Sequence, residues 1–469
     1  MKKILACLLV LVLVLGMCAC GSSEGSEKKK EGLHVGFGRA DIVPQYQVHM
    51  AGGDWKSRKN DGFRDMLYVT CVAITEGDET LLFYTMDFLG SSDNFVVDAC
   101  AAVSAATGIP AENIWMNATH THAGVGISYE WEKSKQYREE FNKAAAKAAT
   151  DALADQAKAE LYFGNVETEG MAFVRHYNMA DGTVAGANFG SYSGTILGHT
   201  VEADTCLQLV KFVREGEDKK DVLLMSFPAH CTMNQNSTSL SADYPAPARE
   251  YIERNSNTLV AFFQGASGDQ VPSSKIQGES FSTDYKIYGE KLGQYAVDAM
   301  ATLTKSESTD LRISSQSYVG TSNKEKIEKL AEAKAVQAVI DQYSKSSQEA
   351  KAAAQQNGFS SVYEATSVIS RASSAETNTM VMRTFAVGDV GFVVAPYEMF
   401  CLHAKEIKEN SPYAETFIAT LGQGDKGYLP TLMAFEYDSY EACVSVYARG
   451  TGEELAQKWV EMLTALKNG

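Results

Sequence analysis

His120-Thr121-His122 is the segment of this chain best placed by residue type and spacing to do chemistry. In extended backbone, side chains alternate, so both imidazoles project from one face and lie close together. Paired imidazoles suit a divalent metal, zinc above all, because zinc takes nitrogen donors in tetrahedral sites. The chain has only 8 histidines, so this spacing carries information. His230, Asp269 and Glu398 could join the pair. His230 alone reads equally well as a core histidine bonded to backbone, and Asp269 as a helix cap. Glu398 says more, because a carboxylate directly after a buried run is costly unless a charge or metal meets it.

What positions these residues is a set of apolar runs, each ending in a polar or Gly-rich cluster. Residues 113–117 lead into His120, 222–227 into His230, and 259–263 into Gly268-Asp269. Residues 390–395 lead into Pro396-Tyr-Glu398, and 416–420 into Gly424-Asp-Lys-Gly-Tyr428. Continuous apolar runs fit strands covered on both faces. In α/β sheets, ligands bind at the carboxyl ends of strands, so these clusters are expected to converge. Residues 80–86 form a strand and 93–107 a helix, with Ser92 or Asp93 as N-cap and Gly108-Ile-Pro110 as stop; residues 113–117 then form the next strand. That is a βαβ unit with parallel strands. A longer helix is predicted near 135–158. The expected class is α/β, a mixed and largely parallel sheet covered by helices, in one large domain over residues 33–469. Within it, residues 322–376 read as a helical insertion. Ser322-x-x-Glu325 has the form of a capping box, and Ile327, Leu330, Val336, Val339, Ile340 and Tyr343 form a stripe. Asn357-Gly358 ends the pattern, and a Ser-rich stretch follows.

Composition narrows the partners. Hydrophobic residues make up 45% of the chain, ample for a large core. The net charge of -17 lacks the basic footprint that nucleic acid requires. Met1-Lys-Lys, an apolar run over 4–17 and Cys18-Ala-Cys20-Gly21 read as a secretory signal, too short for a comfortable membrane span. Ala19-Cys20-Gly21 resembles a bacterial lipobox. The expectation is a signal peptide over 1–19, lipidated Cys20 holding the protein at the membrane outside the cytoplasm, and a Ser/Gly/charge tether over 20–32. Cys71, Cys100, Cys206, Cys231, Cys401 and Cys443 are scattered without a CxxC spacing, so buried thiols are the default expectation, with a disulfide or two left open in an exported protein.

Several short blocks, in order, resemble the neutral/alkaline non-lysosomal ceramidases. They are Gly36-Phe-Gly-Arg-Ala-Asp-Ile-Val-Pro44, Thr119-His-Thr-His122, Ala229-His230 with Met233-Asn234, Gly268-Asp269-x-x-Pro272, Pro396-x-Glu398, Gly427-Tyr428-x-x-Thr431 and Tyr440-Glu441-Ala442. The resemblance implies a zinc enzyme that cleaves the amide of N-acyl-sphingosine with metal-activated water. It implies His120, His230, Glu398 and Tyr428 as zinc ligands and His122 as a pocket residue that passes a proton to the leaving amine. Arg175, in Val174-Arg-His-Tyr177, resembles an arginine of the substrate site, and Asp269 assists. Two departures stand out. The family's Gly-Asp-x-Ser-Pro serine is Val271 here, with Ser273 and Ser274 out of register. The chain also reaches Gly469 without the family's C-terminal immunoglobulin-like domain, leaving the lipid on Cys20 to hold the membrane. The expected activity is hydrolysis of a small-molecule or lipid N-acyl substrate in sphingolipid-type metabolism. A solute-binding surface lipoprotein on the same fold, and an ester or sugar-acyl hydrolase, remain as alternatives.

Overall fold

The long apolar runs are buried from both sides, and the architecture follows from what covers each face. A computed structural model describes residues 30–52, 58–128, 130–186 and 194–469. A nine-stranded sheet has the order Thr258–Gln264, Asp221–Phe227, Cys206–Arg214, Ala157–Glu167, Lys30–Asp41, Tyr68–Gly77, Glu79–Met86, Ile114–Ala118, with Thr304–Lys305 beside Ala157–Glu167. A second sheet has the order Leu311–Thr321, Thr377–Val387, Val390–Ala395, Glu415–Thr420. The sheets share an aromatic core. Phe83 stacks on Phe263 at 4.3 Å and meets Phe385 edge-on at 5.1 Å, while Phe385 stacks on Phe392 at 4.0 Å.

Helices cover the outer faces. Asp93–Thr107 and Ser134–Ala154 pack on one half of the large sheet, and Pro245–Asn255 and Tyr285–Ala299 on the other. Cys401–Asn410 and Thr451–Asn468 cover the second sheet. In Asp221–Phe227, Val222 and Leu224 face the other sheet, while Leu223, Met225 and Phe227 face the helices. The unbroken hydrophobicity of that run has this cause. Gly38 lets Ser134–Ala154 come close, since a Cβ there would lie 2.0 Å from the carbonyl oxygen of Ala148.

The predicted βαβ unit is present: Glu79–Met86 pairs in parallel with Ile114–Ala118 across the helix Asp93–Thr107. The hydroxyl of Ser92 accepts from the amide of Phe95 at 3.3 Å, and Gly108 closes the helix at φ 77°. The mixed α/β class holds, but the balance of strand directions differs from the expectation. Parallel pairing joins Glu79–Met86 to Ile114–Ala118, Asp221–Phe227 to Thr258–Gln264, and Val390–Ala395 to Glu415–Thr420. The long central strands are antiparallel. Those strands were hard to read because residues such as Lys158, Glu160 and Asn165 in Ala157–Glu167 interrupt the apolar pattern. The helix predicted over 135–158 ends at Ala154, and Ala157 already opens a strand.

The insertion also differs in detail. Three helices, Leu330–Gln342, Gln348–Gln356 and Val362–Ser373, lie between the paired strands Leu311–Thr321 and Thr377–Val387. Ser322 does not cap a helix. Its hydroxyl accepts from Asn378 at 2.7 Å, and Glu325 takes Nε of Arg449 at 2.7 Å. Ser347 and Ser361 are the capping residues, so the Ser-rich stretch itself folds as a helix.

The expected signal peptide and Cys20 lie outside the described residues. Of the expected tether, Lys30 already pairs with Gly77 in the large sheet. All six cysteines among the described residues are buried and unbonded. No helix among them is long and apolar enough to cross a membrane.

Candidate metal centre

Three strand ends and one short ladder bring the predicted residues together. His120 follows Ile114–Ala118 and has φ 65°, a left-handed conformation that costs a non-glycine residue about 1–3 kcal/mol. Its Nδ1 lies 2.7 Å from the carbonyl of Leu89. His230 follows Asp221–Phe227; its Nδ1 lies 2.5 Å from the carbonyl of Ser267 and 3.1 Å from that of Gln270. Carbonyls only accept, so each Nδ1 carries the proton and each Nε2 presents a lone pair. Glu398 stands beside Tyr428 in a parallel ladder, Glu398–Met399 against Tyr428–Leu429. Gly268 packs against the Glu398 backbone, where a Cβ would fall 2.4 Å from its carbonyl oxygen. Oε2 of Glu398 lies 3.2 Å from Nε2 of His120 and 3.0 Å from Nε2 of His230.

His122 completes a triangle of rings. Its centroid is 5.0 Å from that of His120 and 5.7 Å from that of His230, and the latter two are 4.6 Å apart. The nitrogens of the three histidines are near enough to one another to hold one ion. The backbone of His122 is pinned at both ends. Its amide donates to Cys231 at 3.0 Å, and its carbonyl accepts from Arg58 at 2.9 Å. Arg58 also donates to the carbonyls of Ala51 and Ser237.

These residues fit a metal ion on their own geometry. Nε2 of His120, His122 and His230 and Oε2 of Glu398 are buried polar atoms without a hydrogen-bond partner. Four such atoms on neighbouring groups are expensive unless something binds them. A tetrahedral zinc site with bonds of about 2.0–2.1 Å has edges of about 3.3 Å. The Glu398–histidine separations are close to that. Charge agrees. Burial pushes the Glu398 carboxyl up, but His120 and His230 outweigh it and hold the group well below the usual range. Burial, with Arg175 and His120, lowers His230 to about 4. Burial and the two other histidines hold His122 well below its ordinary value. His120 is the exception: burial lowers it, yet Glu398 raises it by more. Near neutral pH the cluster therefore offers neutral His122 and His230 and an ionised Glu398, donors that zinc takes, while His120 must give up the proton that Glu398 helps it hold before its Nε2 can bind.

The surrounding residues hold this cluster in place. Asp87, fully buried, takes both terminal nitrogens of Arg249 at 2.9 and 2.8 Å, the hydroxyl of Thr119 at 3.2 Å and the amide of Tyr68 at 2.8 Å. It sits two residues before Leu89 and, through Thr119, one residue from His120. Asp269 does not face the histidines. Its carboxylate accepts from the amide of Cys401 at 2.8 Å and from the Cys401 thiol at 3.3 Å, at the start of the helix that follows Glu398. Arg175 lies with its guanidinium carbon 5.5 Å from the centre of the Tyr428 ring. Val271 pairs with Phe173 in a two-residue ladder. Ser274 turns to His199, 3.3 Å away, which also meets Glu279 at 3.0 Å.

Sequence reading missed Asp87, Arg249, Glu441 as a partner of Arg175, and the carbonyls of Leu89 and Ser267. Asp87 had a signal, since it follows the apolar run ending at Met86 just as Glu398 follows its own run. The carbonyls had none, because every residue carries one. A second group of donors, Glu364, Asp438 and Cys443, is closed by the ammonium of Lys326, which pairs with both carboxylates.

The model of the neutral/alkaline non-lysosomal ceramidase N-terminal family matches residues 33–275. Among solved structures, the chain is similar to a neutral ceramidase from Pseudomonas aeruginosa. The TM-score is 0.68 at 16% identity, over 94% of this chain and 75% of that one. It is similar to a ceramidase complexed with C2 at the same TM-score and 15% identity, over 94% of this chain and 76% of that one. At these identities the likeness speaks for the fold. No curated protein matches the chain.

Proposed function

This chain belongs to the neutral/alkaline non-lysosomal ceramidase family, and on that premise we propose that it is a zinc-dependent amide hydrolase acting outside the cytoplasm. The observation that carries the reading is the convergence of four buried, unpartnered donor atoms on His120, His122, His230 and Glu398. His120, His230 and Glu398 would hold the ion, with Tyr428 beside Glu398 on the same ladder. A zinc ion held there would supply water acidified to a pKa of about 7 and polarisation of the scissile carbonyl. Neutral His122, whose Nε2 has no hydrogen-bond partner, takes a proton from the attacking water and passes it to the leaving amine. Arg175 backs the Tyr428 ring while held by Glu441 and the Gly268 carbonyl, and the Tyr428 hydroxyl is the group offered to the substrate carbonyl. Asp269 positions Glu398 through the helix start at Cys401. With Val271 at the family's serine position, water and not a side chain is the nucleophile.

The substrate is a linear N-acyl amide, lipid or small molecule. The test is turnover of an N-acyl panel by purified protein whose metal content is measured. Zinc at one per chain and product formation abolished by a chelator support the reading. Saturable binding with no zinc-dependent product would instead make this a binding lipoprotein, the alternative that the missing serine at Val271 motivates. Release of acid without amine from ester substrates would mark an esterase.

His122→Ala separates the two roles open to that imidazole. We expect stoichiometric zinc and a kcat lowered by about 10²–10⁴-fold, the contribution of a positioned proton donor. Loss of zinc in this variant would show that His122 is a ligand.

The raised His120 sets a pH dependence. A raised pKa means that acid protonates His120 first, and the proton competes with the ion for its Nε2. Zinc affinity is therefore full above that pKa and falls as pH drops through it. His230, at about 4, contributes only at lower pH. Competition titrations against a chromophoric chelator between pH 5 and 8 measure this; a flat profile contradicts it.

Anchoring through Cys20 is part of the same proposal, supported by the lipobox-like Ala19-Cys20-Gly21. Cys20→Ala should move the protein from the membrane fraction to the soluble fraction and abolish labelling by a radioactive fatty acid. Unchanged fractionation would reject the anchor.

A further inference from the structure

A buried ion-pair hub lies behind Tyr428. Its centre is Glu441, only 1% exposed, in the short helix Tyr440–Val444. Oε1 accepts from Nε of Arg175 at 2.7 Å and lies 2.6 Å from Nη2. Oε2 lies 2.9 Å from Nε2 of His176, whose Nδ1 is 2.8 Å from the hydroxyl of Tyr437. Arg175 also donates from Nη2 to the carbonyl of Gly268 at 2.8 Å, and its guanidinium stands over the Tyr428 ring. Gly268 is the residue that packs on the Glu398 backbone. One carboxylate is thus tied to Tyr428 through a single side chain, and to Glu398 through that side chain and one glycine.

We propose that Glu441 is a positioning residue of the metal centre, orienting Arg175 between Tyr428 and Gly268 and cancelling its charge beside the ion. This rests on the zinc reading above. A buried guanidinium without a counter-charge would repel a divalent cation held nearby, and Coulomb interactions are strong where water is excluded. Stability alone is a weak reason for a buried ion pair, because well-packed apolar residues often serve as well. Here the second oxygen of Glu441 is used on His176, which Tyr437 holds in turn. This chain of bonds leaves the carboxylate little freedom to rotate. Outer partners that orient ligands in this way commonly change metal affinity by about 10–100-fold.

The test is Glu441→Gln in the full chain, with zinc affinity measured by chelator competition and coordination read from the visible spectrum of the cobalt-substituted protein. Circular dichroism first shows that the variant is folded at the working temperature. The expected result is zinc affinity lowered about 10–100-fold and a shifted cobalt spectrum. His176→Gln, which leaves the Arg175 pair in place, should give a smaller change of the same sign, and it carries the test if Glu441→Gln does not fold. A folded variant with wild-type affinity and spectrum overturns the proposal alone. A wild-type chain that takes up no zinc overturns the metal-centre reading and this proposal together.

Discussion

Replacing both His120 and His230 by alanine is expected to reduce bound zinc from one per chain to background. Hydrolysis should fall by more than the roughly 100-fold that loss of an outer partner costs. Both imidazoles present Nε2 toward Oε2 of Glu398, at 3.2 and 3.0 Å, and both have their other nitrogen committed to a backbone carbonyl. With both removed, Glu398 keeps no imidazole partner among the residues that hold it ionised, and its carboxyl rises toward neutrality. The remaining donors cannot hold a divalent ion in competition with water. Stability gives a second readout. Ligand binding to the native state stabilises it by about 2.7 kcal/mol at a hundredfold excess over Kd. Zinc should therefore raise the melting temperature of the wild type and leave the double variant unmoved. A double variant that retains stoichiometric zinc would falsify the assignment of this centre.

The second large effect concerns Asp87 and acts on the fold. Asp87→Ala leaves Arg249, 4% exposed, without its counter-charge in the interior. Removing one partner of a buried ion pair costs about 3–5 kcal/mol, far more than the pair itself contributes against an apolar replacement. The amide of Tyr68 and the hydroxyl of Thr119 lose their acceptor as well. Because Thr119 precedes His120 and Leu89 holds its Nδ1, the surviving folded protein should also bind zinc less tightly. Denaturant unfolding of metal-free protein measures the first effect, and chelator competition the second. A stability loss under about 1 kcal/mol, the scale of an ordinary hydrogen bond, would show that Arg249 finds another partner and that Asp87 is not the strut described here.

The candidate site was legible in its residue types and poorly legible in its supports. His120, His122, His230 and Glu398 could be read because each follows an apolar run, and the expense of burying a polar group there is a property of the residue itself. Glu441 was visible only as one letter of the Tyr440-Glu441-Ala442 block. Nothing local ties residue 441 to Arg175, which lies 266 positions earlier. Asp269 shows the opposite limit. Its position after a buried strand and a glycine suited the site, and the reading as a cap was equally open. In the fold its carboxylate caps the helix that begins at Cys401.

The sequence by itself determined the strands buried on both faces, the βαβ unit over Glu79–Ala118, and which side chains stand at strand ends, because those depend on local hydrophobic period and capping chemistry. It could not determine strand direction in the centre of the large sheet, since pairing of Ala157–Glu167 with Cys206–Arg214 and with Lys30–Asp41 rests on partners far along the chain. Only the tertiary structure decided that His120 adopts φ 65°, that Nε2 of three imidazoles and Oε2 of one carboxylate meet without a hydrogen-bond partner, and that Asp87 pairs with Arg249 and Glu441 with Arg175 behind them. The physical reason is range. Alternation and helix caps act over a few residues, whereas ion pairing and metal-ligand convergence act through space.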